Sequence, residues 1–305
     1  MIKLLLLTGF LGSGKTTLMT NILNSFAGEK VGVIINEFGA TGVDGTLLAR
    51  DSVKMQELNN GSIFCACIKA NFLQSLIDMS KQDISYLFIE PSGIADPSEM
   101  GQILETIAPK LGKAYDYRGL ICVVDAETFP KLSRVLPALE RQVEYCGAAV
   151  INKADLVDEA RLEEVTGMIN KINPDCEIIV TSYCRFDVHE LAGRISPADI
   201  AARDSTNTLA ARPYSIVLKP NGNVPVGELR GFVEKLMPYA YRIKGFLPCD
   251  GGFTAVNAVG GVINIDDWTS DAPIQGLVII SAVGISIISK ITDALQGELK
   301  ESLRL

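Results

Sequence analysis

Histidine is almost missing from this 305-residue chain. His189 is the only one, so no histidine-rich metal tract exists. Positive charge is in deficit: 28 Lys and Arg stand against 36 Asp and Glu, a formal net charge of -8. That balance argues against a general nucleic-acid binder and against adhesion to anionic membranes. No apolar run reaches the roughly 18–20 residues that a membrane-spanning helix needs. The longest, residues 276–288, is interrupted by Ser281 and Gly284 and reads as a buried strand running into a helix. Met1 leads straight into the first expected strand, which leaves no room for a signal peptide. The seven cysteines are odd in number and scattered, unlike a disulfide framework. A reducing, cytoplasmic setting is the expectation. There is no internal repeat and no low-complexity tract.

What is present is a phosphate-binding loop. Thr8-Gly9-Phe10-Leu11-Gly12-Ser13-Gly14-Lys15-Thr16-Thr17 follows four leucines and precedes a helical pattern. A strand, a glycine-rich turn and a helix N-terminus together make an anion site. Glycines let backbone N–H groups wrap the phosphates, Gly12, Ser13, Gly14 and Thr17 being candidate contacts. Lys15 is expected to reach the β- and γ-phosphates, and the Thr16 hydroxyl to join a Mg²⁺ shell.

Beyond the loop, apolar runs alternate with helical periodicity. Strands are expected at 2–8, 31–35, 53–58, 86–89, 119–124, 148–151 and 177–180. Helices are expected at 15–26, 70–80, 98–111, 129–145, 158–172 and 188–195. This is the pattern of a parallel α/β sheet. Polar motifs follow the strands, on the edge where doubly wound sheets bind ligands. Pro137 is a weak spot inside the 129–145 helix. After a polar stretch at 197–212, taken as a linker, the pattern becomes strand, helix and antiparallel strands. A strand is expected over 276–282 and a C-terminal helix over 285–303. The fold class is therefore a P-loop NTPase parallel sheet flanked by helices (residues 1–196), followed by a smaller α+β C-terminal domain (213–305).

Asn152-Lys153-Ala154-Asp155 selects the nucleotide. The Asp155 carboxylate can accept from guanine N1–H and the exocyclic amine. Adenine offers neither arrangement, so a buried Asp155 would be left unpaired against it. Thr181-Ser182, after the last strand, is placed beside the base. Glu90-Pro91-Ser92-Gly93 stands where a second acidic motif belongs: Gly93 for close approach to the γ-phosphate, Glu90 for Mg²⁺. Glu37, on the loop after the second strand, is a second candidate for Mg²⁺ or for positioning the attacking water. Lys15, Glu37 and Glu90 are the candidate catalytic residues. No Gln or His follows Gly93, so slow intrinsic hydrolysis is expected.

These motifs together resemble the CobW-like family of metal-associated GTPases, relatives of the urease and hydrogenase accessory GTPases. The phosphate loop, Ile35-Asn36-Glu37-Phe38-Gly39 with Asp44, the segment from Glu90 to Pro97, Val123-Val124-Asp125, Gln142 and Tyr241–Leu247 all fall where that family has them. The resemblance implies GTP hydrolysis, with GTP and Mg²⁺ as cofactors, coupled to delivery of a metal or metallo-cofactor. Zinc and cobalt are the candidate metals. The implied partner is a client metalloprotein or corrinoid enzyme, and a homodimer would fit.

The departures matter. The family's Asn-Gly-Cys-x-Cys-Cys reads Asn60-Gly61-Ser62-Ile63-Phe64-Cys65 here, with Cys67 two residues on. Ala40 stands after the first switch, and Cys146-Gly147 precedes the guanine-motif strand. Cys65 and Cys67 suit a soft or borderline metal ion, while a closed zinc site wants four ligands. Two readings of this pair stand side by side: a metal site, or two small buried thiols. Two functional readings follow, a metal-carrying GTPase chaperone and a GTP-dependent switch that grips a metalloenzyme without carrying metal. An ATP-dependent small-molecule kinase is disfavoured by Asn152, Lys153 and Asp155.

Overall fold

The computed structural model describes residues 1–35, 52–57, 66–91, 93, 96–198, 213–268 and 276–305. The chain divides into two compact units, Met1–Ala211 and Arg212–Leu305.

The first unit is built on seven parallel strands: β1 Ile2–Gly9, β2 Val31–Ile35, β3 Val53–Glu57, β4 Tyr86–Glu90, β5 Tyr115–Asp125, β6 Ala148–Asn152 and β7 Glu177–Val180. Their order across the sheet is β3-β2-β4-β1-β5-β6-β7. Leu4, Leu5, Leu6 and Leu7 are all fully buried, as a central strand covered on both faces requires. One face packs on α1 (Lys15–Ser25) and α7 (Val188–Arg194) through Leu18, Ile22, Val188 and Leu191. Between these helices lie α2 (Ala66–Ser80), α3 (Met100–Ile107), α4 (Phe129–Leu132), α5 (Pro137–Glu144) and α6 (Glu159–Ile172).

The order of strands fixes the site. From β1 the chain moves outward to β2 and β3, returns to β4 beside β1, and crosses to β5 on the other side. Successive strands thus leave β1 in opposite directions, and the crevice opens at its carboxyl end. The C-terminal residues of β5 and β6 are level, Asp125 pairing with Asn152, and Ile35 of β2 pairs with Glu90 of β4.

The expected strands are all present, with altered limits elsewhere. β5 begins at Tyr115 rather than residue 119, because Lys3 and Leu4 pair with Asp116 and Tyr117 despite their polar pattern. A register shift between Leu4 and Leu5 skips Arg118. The helix expected over 70–80 starts at Ala66, and the one over 98–111 is α-helical only from Met100 to Ile107 before a 3-10 turn. The helix expected over 129–145 is two helices. Pro137 cannot donate within a helix and forces the preceding residue out of αR. Leu136 is accordingly extended (φ −125°, ψ 94°), and Pro137 opens α5 instead of interrupting it.

The second unit is a six-stranded sheet of β8 Ser215–Pro220, β9 Ala240–Cys249, β10 Gly252–Val259, β11 Val262–Trp268, β12 Gly276–Ser281 and β13 Leu303–Arg304, in the order β11-β10-β9-β12-β8-β13. All its pairings are antiparallel. Helices α8 (Val226–Leu236) and α9 (Ile287–Ala294) cover it through Leu229, Phe232, Ile287 and Ile291. The single C-terminal helix expected over 285–303 breaks after Ala294: Leu295 is extended and Gly297 has φ 58°. A short α10, Leu299–Ser302, leads into β13, which pairs with β8 through Leu303–Pro220 and Arg304–Lys219.

Among the described residues no helix is long and apolar enough to cross a membrane.

Candidate nucleotide site

The phosphate loop leaves β1 at Gly9 and enters α1 at Lys15. Gly14 stands at the N-terminal boundary of α1 with φ 111°, and no side chain caps that helix. The orphan N–H groups of its first turn therefore remain for an anion, and the helix dipole favours negative charge there. A Cβ on Gly14 would lie 2.3 Å from Asn152 Nδ2, so glycine is needed for room as well as for conformation. Ser13 Oγ is buried without a hydrogen-bond partner among the described residues. The donors and the glycine cradle fit a phosphate chain. Lys15 is buried, its Nζ donating to Phe10 O at 3.1 Å across the loop. Thr16 is half-buried and Thr17 exposed.

Asn152, at the end of β6, joins two motifs that sequence spacing gives separately. Its Nδ2 donates to Ser13 O at 2.8 Å, and its Oδ1 accepts from Cys184 N at 3.0 Å. The turn that follows β6 is thus fixed to the phosphate loop by one buried side chain. Lys153 adopts the left-handed region (φ 63°), and its Nζ pairs with Asp125 Oδ2 at 2.6 Å. Asp125 in turn caps the following turn, its Oδ1 accepting from Glu127 N and Thr128 N. Ser182 Oγ accepts from Asp155 N at 3.1 Å, which brings Ser182 to the Asn152–Asp155 motif. Asp155 itself is exposed, not buried. It lies in the short 3-10 turn Ala154–Leu156, none of whose residues is buried, so the carboxylate is reachable from solvent.

Glu90 and Asp96 are buried at the end of β4 and just after it. Gly93 lies directly against the phosphate loop: a Cβ there would be 2.9 Å from Leu11 Cδ2 and 3.0 Å from Leu11 N. Gln142 of α5 donates to Gly93 O at 3.3 Å. Gly93 is therefore held between the phosphate loop and α5.

Two participants carry no sequence signal. Asn21 of α1 donates to the carbonyls of Tyr183 and Cys184 at 3.0 and 2.8 Å. Cys184 places its thiol 3.6 Å from Gly14 O, and burial pushes that thiol up to about 12. Tyr183 and Cys184 both have positive φ without being glycine, so composition gives no hint of the turn. His189 is exposed near the start of α7 and stacks on Phe26 at 4.7 Å. Cys122 is buried in β5.

Glu37 and Cys65 lie outside the described residues, and Cys67 is described only as backbone within α2. Among the described residues no group of three or more His, Cys, Asp or Glu is placed to hold a metal ion.

The family model of the CobW/HypB/UreG nucleotide-binding domain matches residues 3–180. The chain is 31% identical over 270 residues to the zinc chaperone YjiA of Escherichia coli (strain K12), covering 82% of this chain and 83% of that protein. It is 30% identical over 210 residues to zinc-regulated GTPase metalloprotein activator 1 of Dictyostelium discoideum, covering 57% of this chain and 44% of that one. Among solved structures, Zn(II)-bound YjiA GTPase from E. coli aligns over 97% of this chain and 99% of that chain, with 24% identity and a TM-score of 0.48.

Proposed function

The chain is a member of the CobW/HypB/UreG GTPase family, and from that premise we propose that it couples GTP hydrolysis to the delivery of zinc to a client metalloprotein in the cytoplasm. The observation that supports the nucleotide half is the pair of hydrogen bonds by which Asn152 donates to Ser13 O and accepts from Cys184 N, tying the phosphate loop to the proposed guanine motif. The first-turn amides of α1 and Lys15 hold the phosphates. Thr16 and Glu90 hold Mg²⁺, which when bound offsets charge on the phosphate oxygens. Asp155 reads guanine, with Lys153 steadied by Asp125. Gly93, gripped by Gln142, follows the presence of the third phosphate. Glu37 positions the attacking water, and turnover is slow because neither Gln nor His follows Gly93.

The cargo half rests on Cys65 and Cys67. Zinc is the metal named for the 31%-identical relative. The experiment is a zinc titration against a competing chromophoric chelator, in GDP and in a non-hydrolysable GTP analogue, for the native chain and Cys65→Ala/Cys67→Ala. We expect affinity tighter than micromolar in at least one nucleotide state. The double variant should lose it while keeping its GTP affinity. If neither state binds zinc that tightly, metal carriage is wrong. The second reading then stands, a GTP-dependent switch that grips a metalloenzyme. Ser62 and Phe64, in place of two thiols of the family pattern, favour that alternative.

A further inference from the structure

Two buried thiols touch at the end of the sheet opposite the phosphate loop. Cys146 Sγ and Cys176 Sγ are 3.2 Å apart. Cys146 lies in the turn from α5 to β6, and Cys176 immediately precedes β7. Both therefore stand at the amino-terminal ends of strands whose carboxyl ends carry Asn152 and Thr181. The separation along β6 is about 20 Å at the usual rise per residue.

The pair is held, not merely adjacent. Asn173 Nδ2 donates to Val143 O, Glu144 O and Cys146 O at 3.0, 3.1 and 2.9 Å, fixing the turn that presents Cys146. Asn173 O accepts from Cys176 N at 3.4 Å, so one asparagine braces both cysteine turns. Gly147 N donates to Leu120 O and Gly147 O accepts from Glu177 N, which ties the two strand starts together. We propose that Cys146 and Cys176 are a modification site: a hydroperoxide converts them to an intramolecular disulfide that staples the start of β6 to the start of β7.

The two thiols have unequal roles. Cys176 is 8% exposed and Cys146 1%, so a small oxidant meets Cys176 first. The hydrogen bond from Cys146 also lowers the Cys176 thiol, whereas burial raises Cys146 and holds it protonated. The Cys176 thiolate attacks the terminal oxygen of ROOH. The O–O bond breaks, an S–O bond forms, and ROH leaves with a proton, giving Cys176 sulfenic acid. Cys146 sulfur then attacks that sulfur. The S–O bond breaks, the S–S bond forms, and the Cys146 proton leaves with the hydroxyl as water. Two electrons pass from the two thiols to the peroxide, and a dithiol reductant reverses the change. Cys122, which burial pushes up to about 12, stays a thiol.

The test uses the full chain treated with tert-butyl hydroperoxide, quenched with a maleimide, digested and mapped by mass spectrometry. The expected result is a linked Cys146–Cys176 peptide that dithiothreitol removes. A loop of this length, once closed, should raise the thermal midpoint by about 5–10 °C. GTP affinity should change by less than twofold, because the bond lies at the opposite strand ends. Cys146→Ser and, separately, Cys176→Ala should each abolish the link and the rise in midpoint, with GTP affinity reporting that each is folded. Free Cys146 and Cys176 after oxidation, or linkage of either to another cysteine, would overturn the proposal.

Discussion

At the scale of single residues the site depends on side chains that bridge motifs. Asn152→Ala removes both bonds of a buried amide and leaves Ser13 O and Cys184 N unpaired. An unsatisfied buried group costs about 1–3 kcal/mol. GTP and GDP affinity, measured by fluorescent-nucleotide displacement, should fall together by at least tenfold, because the phosphate loop loses its brace irrespective of the γ-phosphate. Gln142→Ala should behave differently. Gln142 donates to the Gly93 carbonyl, so its loss should weaken a GTP analogue by about three- to tenfold and leave GDP nearly unchanged. Equal loss for both nucleotides would show that Gln142 merely supports the fold. Asp155→Asn exchanges an acceptor for a donor in an exposed side chain. It should turn preference from guanine toward xanthine nucleotides with little change in thermal midpoint. Unchanged GTP preference would remove Asp155 from base recognition.

At the scale of elements, the sequence is most readable where one force dominates. β1 shows in its four leucines because a strand covered on both faces has no polar positions to confuse the pattern. The start of α6 shows because Asp158 is a strong capping residue, and its carboxylate accepts from Arg161 N at 2.9 Å. Asp158→Ala should cost about 1 kcal/mol, read by urea unfolding, with GTP binding unaffected. Where two forces compete, periodicity misleads. The apolar spacing of 129–145 runs straight through Pro137, but a prolyl nitrogen cannot continue the helix, and the break wins. Leu303 continues the C-terminal apolar pattern yet ends in a strand, since pairing with Pro220 outweighs helical spacing that Gly297 has already interrupted. The nucleotide motifs were legible as residues. Their joinery was not: Asn21, Cys184 and the Asp125–Lys153 pair meet only through tertiary folding.

At the scale of the whole molecule, two hydrophobic cores are made of separate residues, one around Leu5, Leu18 and Phe88, the other around Leu229, Phe232 and Ile279. Phe232 is buried in the second, and its truncation to alanine should cost about 3–5 kcal/mol there. Calorimetry should show that loss in the Arg212–Leu305 unit, while GTP affinity stays within threefold of the native chain. A parallel decline in GTP affinity would mean that nucleotide binding draws on the second core. The parallel sheet has a further consequence. Because every strand of that sheet runs the same way, Asp125, Asn152 and the phosphate loop gather at one rim and the paired thiols at the other. If Cys146 and Cys176 form the proposed bond, a substitution at either should change the response to oxidants and leave GTP turnover as it was, so the two properties can be altered separately.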